Sequence, residues 1–299
     1  MLLALLGLGL FVSLLEPRFL SPTNFYLVSR QIAFTAIAAL GVFFVILSAG
    51  IDLSLGSVAG LSGVAAGLAM AAGVAWPLAA ILGLATGALC GLVNGLIVAR
   101  LRVTPFIVTL GTLSVARGLV LVLTKGEAVR AIPQSFIDFG NADFLGLPLI
   151  VWVLLALAGA AWFLQRRTVF GLRVMAVGGN ENAALLAGVP VARIKLWVYV
   201  VSGLCAAVSG VLFVARFQSA QAQAGFMLEL DAIAAAVIGG ASLMGGRGTV
   251  AGVLVGATIM GVLHNALVLL QVSAYWQELI IGSIIILAAV MDAARTRKA

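Results

Sequence analysis

The chain has 299 residues, of which 63% are hydrophobic and 9% charged, and its mean hydropathy of +1.23 leaves too little polar surface for a soluble domain. Its net charge of +7 and pI ≈ 10.3 would suit a nucleic-acid binder, but the basic residues flank apolar runs and read as topology signals, so no nucleic-acid partner is expected. Apolar runs of about 17 to 25 residues without strict two-residue alternation exclude a β-barrel, and the predicted class is all-α, a polytopic helix bundle in a lipid membrane.

In chain order the runs give about ten predicted spans: 2–15, 32–50, 56–73, 76–98, 106–123, 147–164, 197–215, 231–245, 249–270 and 278–292. The first is short, since fourteen residues at about 1.5 Å each fall well below a hydrocarbon core of about 30 Å. It either continues past Glu16 or begins further upstream. A cleaved signal peptide is not expected, because no basic residues precede the run and no small-residue cleavage site follows it.

Ten crossings place both termini on one side. That side collects Arg100, Arg102, Arg166, Arg167, Arg173, Arg193, Lys195, Arg247, Arg295, Arg297 and Lys298, against Arg18, Arg30, Lys125, Arg130 and Arg216 on the other. The excess of basic residues predicts cytoplasmic N- and C-termini, a cytoplasmic segment at about 165–195 and an external loop from Lys125 to Leu145.

Glycines recur every fourth residue at Gly83, Gly87, Gly91 and Gly95, so they share one helix face and allow close backbone approach, either within the bundle or between copies. Two small-residue breaks, Val45 to Gly56 and Val237 to Gly246, each join an apolar run to a glycine-rich helix. They suggest an internal parallel repeat of the kind transporters use.

Enzymatic chemistry finds little footing. The one histidine, His264, stands beside Asn265 in an apolar run, Cys90 and Cys205 read as small buried hydrophobes, and no phosphate-binding loop motif occurs. Neither a catalytic nor a metal site is predicted, and no cofactor is expected in this chain.

Polar groups in the spans mark a route for a solute instead. Asp52 costs about 2.5 to 3.5 kcal/mol in a helix centre; beside Ser54, Ser57 and a glycine break it suits either a helix cap or a polar path. Asn94, Thr109, Thr112, Ser114 and Asn265 offer uncharged hydrogen-bonding groups for a neutral, polyhydroxylated solute or for a neighbouring helix. Arg117, in the fifth span, is expected to snorkel to the outer interface.

The longest charged segment, 165–195, ends a wall of apolar residues and is expected to contact a cytoplasmic partner. Within it Ala183, Ala184 and Ala187 can form a small helix face, which Gly188 and Pro190 would end.

Three stretches carry a resemblance: Ser48 to Ser57 (SAGIDLSLGS), Val103 to Thr112 (VTPFIVTLGT) and Glu229 to Gly240 (ELDAIAAAVIGG). They are similar to signature stretches of the ribose/xylose/arabinose-type permeases of bacterial ABC importers, and the likeness runs from about Pro17 to Asp292. It implies a single permease domain over 1–299 in the bacterial inner membrane, paired with a second permease subunit, either the same chain or a related one. It also implies an ABC ATPase that carries the ATP and Mg, and a periplasmic sugar-binding protein.

The segment Gly178 to Gly188 resembles the E-A-A-x-x-x-G coupling loop of such importers, with Asn182 in the glutamate position and no later I-x-L-P. The resemblance therefore assigns ATPase coupling to Asn180, Glu181, Asn182, Ala183, Ala184, Ala187 and Gly188. Asp52, Ser54, Asn94, Phe106, Thr109, Thr112 and Asn265 are candidates for the translocation path. Asp138 and Asp143 on the external loop are candidates for binding-protein docking. Alternating access would move a monosaccharide whose identity the binding protein sets, through a lining expected to be apolar and weakly selective. The residues also admit an ion-coupled secondary transporter, for which Asp52 and Asp231 are the central ionisable groups.

Overall fold

The computed structural model describes the chain from Met1 to Thr296, apart from the side chains of Ala274, Ala288, Ala289 and residues 291–296. Of the basic residues counted above, Arg297, Lys298 and the Arg295 side chain lie outside the described residues.

The fold is a helix bundle. Among the described residues six helices are long and apolar enough to cross a membrane: α2 (Pro22–Leu47), α4 (Trp76–Arg100), α5 (Pro105–Thr124), α7 (Leu149–Arg167), α10 (Val191–Phe217) and α12 (Val250–Leu269). The shorter helices are α1 (Leu2–Leu15), α3 (Leu55–Ala71), α6 (Gln134–Gly140), α8 (Val169–Gly179), α9 (Glu181–Leu186) and α11 (Leu228–Ile238), and α13 (Ala274–Thr296) closes the chain.

Helix starts follow local chemistry. Proline stands in the first turn of α2, α4 and α5, where a missing N–H costs nothing, and the Ser21 and Thr249 hydroxyls accept from the first-turn N–H groups of Asn24 and Gly252. The expectation that the first helix continues past Glu16 is not met. Glu16 is extended, and Pro17–Leu20 forms a separate 3-10 turn before α2.

The glycine stripe is a packing surface inside the bundle. Gly87, Gly91 and Gly95 face the α10 backbone at Gly203, Tyr199 and Leu196, so closely that a Cβ at any of them would collide with a carbonyl oxygen. Gly83 fits against Ser62 on α3 and Val211 on α10. Helices α3, α4 and α10 thus form one tight layer, with α2 on the other side of α10.

The two small-residue breaks lie against each other, the Gly246 N–H donating to the Leu47 carbonyl at 2.9 Å, with Gly178 of α8 closed onto both. Buried Gln165 locks the same corner: its amide donates to Gly248 O at 2.8 Å and accepts from Val250 N–H at 3.1 Å. Residues 167–190, 239–249 and the α4–α5 turn therefore share one end of the bundle. The opposite end holds 125–148, with Arg30 bonded to Asn141 and Tyr26 to Asp143.

The predicted span 231–245 is replaced by a broken passage. Helix α11 stops at Ile238 because Gly239 and Gly240 follow, the latter at φ +87, and residues 241–249 are irregular. Ahead of α11 the chain descends alongside α3 without forming a helix: Ala220 lies against Gly67, Ala224 against Gly60 and Gly225 against Gly56. Left-handed residues at Gln218, Gly225 and Met227 make the bends.

Candidate functional site

Four elements converge on Asp52, in the break between α2 and α3. Its Oδ1 accepts from the Ser54 N–H at 3.0 Å and the Ser54 hydroxyl at 2.6 Å, and its Oδ2 accepts from the Ser202 hydroxyl of α10 at 2.7 Å. The Asn94 amide of α4 donates to Ser54 Oγ at 3.0 Å, and its carbonyl accepts from Thr112 of α5 at 2.5 Å. The Ile51 carbonyl receives the Tyr199 hydroxyl at 3.2 Å.

Asp52, Ser54 and Asn94 are each 2% exposed or less. The local sequence fits this role, because Ala49 in the left-handed region turns the chain and the short Ser and Asn side chains let α3, α4 and α10 close around the carboxylate. The result is a closed polar knot whose members satisfy one another. Thr109, a further path candidate, is fully buried and bonds its own helix at Pro105 O, 2.9 Å away.

Open space lies elsewhere, on the two sides of the irregular segment 218–227. One cavity of about 620 Å³ is bounded by Arg30, Gln31, Phe34, Phe213, Arg216 and Asp231, the last at 3.3 Å from His264 Nε2. Another, of about 720 Å³, is bounded by Ser57, Leu113, Arg117, Leu121 and Glu229. Gln221, Gln223 and Phe226 belong to both walls.

Arg117 does not snorkel outward. Its guanidinium donates to the Ala222 carbonyl at 2.8 Å and the Ala224 carbonyl at 3.4 Å, fastening the partition to α5. The partition is also joined to the 125–148 region by a pair of backbone bonds between Val129 and Ala220, both 2.9 Å.

At the other end of the bundle, the segment expected as a loop is mostly helical. Asn180 caps α9 by accepting from Ala183 N–H at 2.9 Å, and a Schellman turn ends it: Val189 N–H reaches Ala184 O, Gly188 N–H reaches Leu185 O, and Gly188 has φ +78. Glu181 pairs with Lys195 of α10 at 2.6 Å. Ala184 points into the bundle, so it does not share a face with exposed Ala183 and Ala187; the outward surface is completed by Asn182, Leu185 and Leu186, the last 90% exposed.

Residues 24–289 match the family described as branched-chain amino acid transport system / permease component. The chain belongs to this permease family. It is 42% identical over 292 residues to the ribose import permease protein RbsC of Bacillus subtilis, covering 97% of this chain and 91% of that one. It is 40% identical to the L-arabinose ABC transporter permease protein AraH of Azospirillum brasilense, over 94% and 83% of the two chains. It is 39% identical to the D-allose transport system permease protein AlsC of Escherichia coli, over 95% and 87%. No solved structure matches.

Within the permease the sequence-derived path candidates are dispersed. Asp52, Ser54, Asn94 and Thr112 form one network, but Asn265 is paired with Asn24 through two amide bonds, 2.8 and 3.0 Å, beside Phe19. Phe106 is about half exposed on the outside of α5. Asp138 and Asp143 are exposed at the end opposite α9, bonded to Gln134 and Tyr26. Sequence reasoning missed Ser57, Gln221, Gln223 and Glu229 as cavity residues. The run Gln218 to Gly225 (QSAQAQAG) between two apolar helices was the available signal, and it reads as an ordinary connecting loop unless its descent along α3 is known.

Proposed function

We propose that this permease is the membrane-spanning subunit of an ATP-driven, binding-protein-dependent ABC importer for a monosaccharide, ribose or a related sugar. The observation that carries this reading is the likeness, over more than nine-tenths of the chain, to relatives named as permeases for ribose, arabinose and allose. Three aldoses among relatives of similar identity favour the sugar class over any one sugar.

The partners follow from that class. An ABC ATPase holds ATP and Mg and receives α9, a reading supported by the exposed leucines and by the caps at both ends of this six-residue helix. The periplasmic sugar-binding protein docks on residues 125–148 around Asp138 and Asp143. The Val129–Ala220 bonds supply a route by which docking bears on segment 218–227. A second permease subunit, a copy or a related chain, completes the pathway.

Adding α1, α3, the broken passage 218–238 and α13 to the six long helices gives ten crossings in the bacterial inner membrane. Both termini are then cytoplasmic, and the helix–break–helix units at α2–α3 and α11–α12 stand as a parallel repeat. Transport proceeds by alternating access, with ATP-driven motion of α9 passed to α10 through the Glu181–Lys195 pair and the short 187–190 turn. An ion-coupled carrier is not favoured, because Asp52, its natural coupling group, is enclosed by its own hydrogen bonds.

Purification of the tagged chain from its native membrane in mild detergent tests the reading. A stoichiometric ABC ATPase is expected by mass spectrometry. Its absence, with uptake driven instead by an ion gradient, would overturn the assignment.

A further inference from the structure

Where α4 turns into α5, two cavities run into one another. One, of about 470 Å³, lies at the bundle end that holds α9 and is bounded by Arg102, Thr104, Glu181, Asn182 and Lys195. The other, of about 530 Å³, is a groove between α4 and α5 lined by Leu89, Val93, Ile97, Val103, Ile107 and Val115. Val103 belongs to both walls, so a polar recess opens directly into an apolar furrow.

The recess is cationic. Among the described residues its one carboxylate, Glu181, is taken by Lys195 at 2.6 Å, and the Arg102 guanidinium, the Thr104 hydroxyl and the Asn182 amide are left without a hydrogen-bond partner. Arg102 has φ +56, the left-handed position after α4 that glycine or asparagine would fill more easily, so a long cation stands where backbone preference would not put one. The furrow, by contrast, offers no free polar group. The Thr112 hydroxyl on its wall is spent on Asn94, and a Cβ added to Gly111 would meet nothing within 4 Å. From Leu89 to Ile97 the furrow follows α4 for about 12 Å, close to the ~15 Å that one leaflet contributes to a hydrocarbon core.

A ligand that fits both cavities carries an anionic head with several acceptor oxygens on an apolar chain, and it enters from lipid. An anionic phospholipid has that form, with phosphate oxygens for Arg102 and Thr104 and an acyl chain for the furrow. A zwitterionic headgroup would bring an ammonium against Arg102 and Lys195, with Glu181 already paired. Ala183 and Leu186 of α9 do not line the recess, so the surface offered to an ATPase stays open.

We propose that the α4–α5 cleft holds one anionic phospholipid from the leaflet at this end of the bundle, its phosphate on Arg102 and its acyl chain in the furrow. The bound lipid braces the junction of α5 with α9 and α10, and import depends on it. That the leaflet is the cytoplasmic one, and that the effect falls on import, rest on the importer reading; the binding does not.

The tagged chain is purified in mild detergent with the partners it retains, and bound phospholipid is counted by native mass spectrometry after exchange against phosphatidylglycerol or phosphatidylcholine. Wild type is expected to keep one phosphatidylglycerol and to release phosphatidylcholine. Arg102→Asn, whose side chain suits the left-handed backbone, should lower phosphatidylglycerol retention about fivefold, the weight of one cation at an anionic surface. Gly111→Phe, which blocks the furrow and leaves the charge alone, should lower it by a similar factor, and Arg100→Gln, at an exposed cation outside the recess, should leave it unchanged.

Retention equal to wild type in both Arg102→Asn and Gly111→Phe would overturn the site. So would a loss in Arg100→Gln as large as that in Arg102→Asn, since diffuse surface charge would then hold the lipid. Loss of a protein partner from Gly111→Phe, with lipid retention intact, would make the furrow a protein interface and sink the proposal as well. In phosphatidylcholine proteoliposomes with and without phosphatidylglycerol, ATP-driven import by the wild-type complex should rise with the anionic lipid and rise less in Arg102→Asn; an equal rise in both would remove the link to import. A complex that keeps the lipid but imports no sugar with ATP would remove the importer reading and leave the lipid site standing.

Discussion

Asp52 and Glu229 are both carboxylates set among apolar helices near the inner end of α3, and the bundle treats them in opposite ways. Around Asp52, α3, α4 and α10 close completely, and both oxygens receive hydroxyl or amide donors. Glu229 stands in the first turn of α11, just past the irregular segment 218–227; a cavity opens beside it, and its Oε2, packed against Gly56, has no partner among the described residues. The contrast teaches how to read polar residues in a membrane protein. A group whose partners are all supplied by the protein holds helices together, whereas one at the edge of an irregular segment is packed without being paired.

The comparison breaks most sharply at Asp52 itself. Asp52→Ala strands the Ser54 and Ser202 donors, at about 1–3 kcal/mol each, and is expected to remove most folded protein from the membrane; Asp52→Asn, which keeps an acceptor oxygen, should retain more. Size-exclusion profiles and melting temperatures in detergent read this, and an Asp52→Ala protein as stable as wild type, with transport alone lost, would make the knot part of the path. Next in size is Gly91→Ala, whose new methyl collides with the Tyr199 carbonyl. It should lower stability by about 1–3 kcal/mol, visible in the same melts.

On the open side, Arg117→Ala frees segment 218–227 from α5 and is expected to cut transport about tenfold, equivalent to about 1.4 kcal/mol on the limiting barrier, while the melting temperature stays near that of wild type. Proteoliposome uptake measured beside a melt separates the two, and a large fall in stability would show that the partition belongs to the closed core. The smallest effect is assigned to Lys195→Ala. Its partner Glu181 is about half exposed, so stability should change by less than about 1 kcal/mol, and any larger loss must come through coupling, read as ATP hydrolysis per sugar imported.

Much of the fold was legible because lipid imposes simple rules on sequence. The apolar runs gave four of the six long helices within about three residues at each end, missing the starts of α2 by ten residues and of α10 by six, and the four-residue glycine period announced a close-packing face on α4 without naming α10 as its partner. Gly188 and Pro190 marked the C-terminal end of α9, whereas its Asn180 cap emerged only in the structure. The site was far less legible. Asp52, Ser54, Asn94 and Thr112 have the composition of a solute route, and only their mutual hydrogen bonds reveal a structural knot. The run 218–227 has the composition of a surface loop, and only its contacts with Gly56, Gly60 and Gly67 reveal a descent into the bundle.

The sequence by itself determined the solvent, the helical class and the family, because the cost of leaving backbone groups unpaired in hydrocarbon forces long apolar helices, whatever their neighbours. It also determined where backbones could approach, through glycines that no other residue can replace. Which polar groups are spent on each other was decided by tertiary structure alone. Hydrogen bonding is a matter of a few tenths of a nanometre between residues such as Asp52 and Ser202, 150 positions apart in the chain.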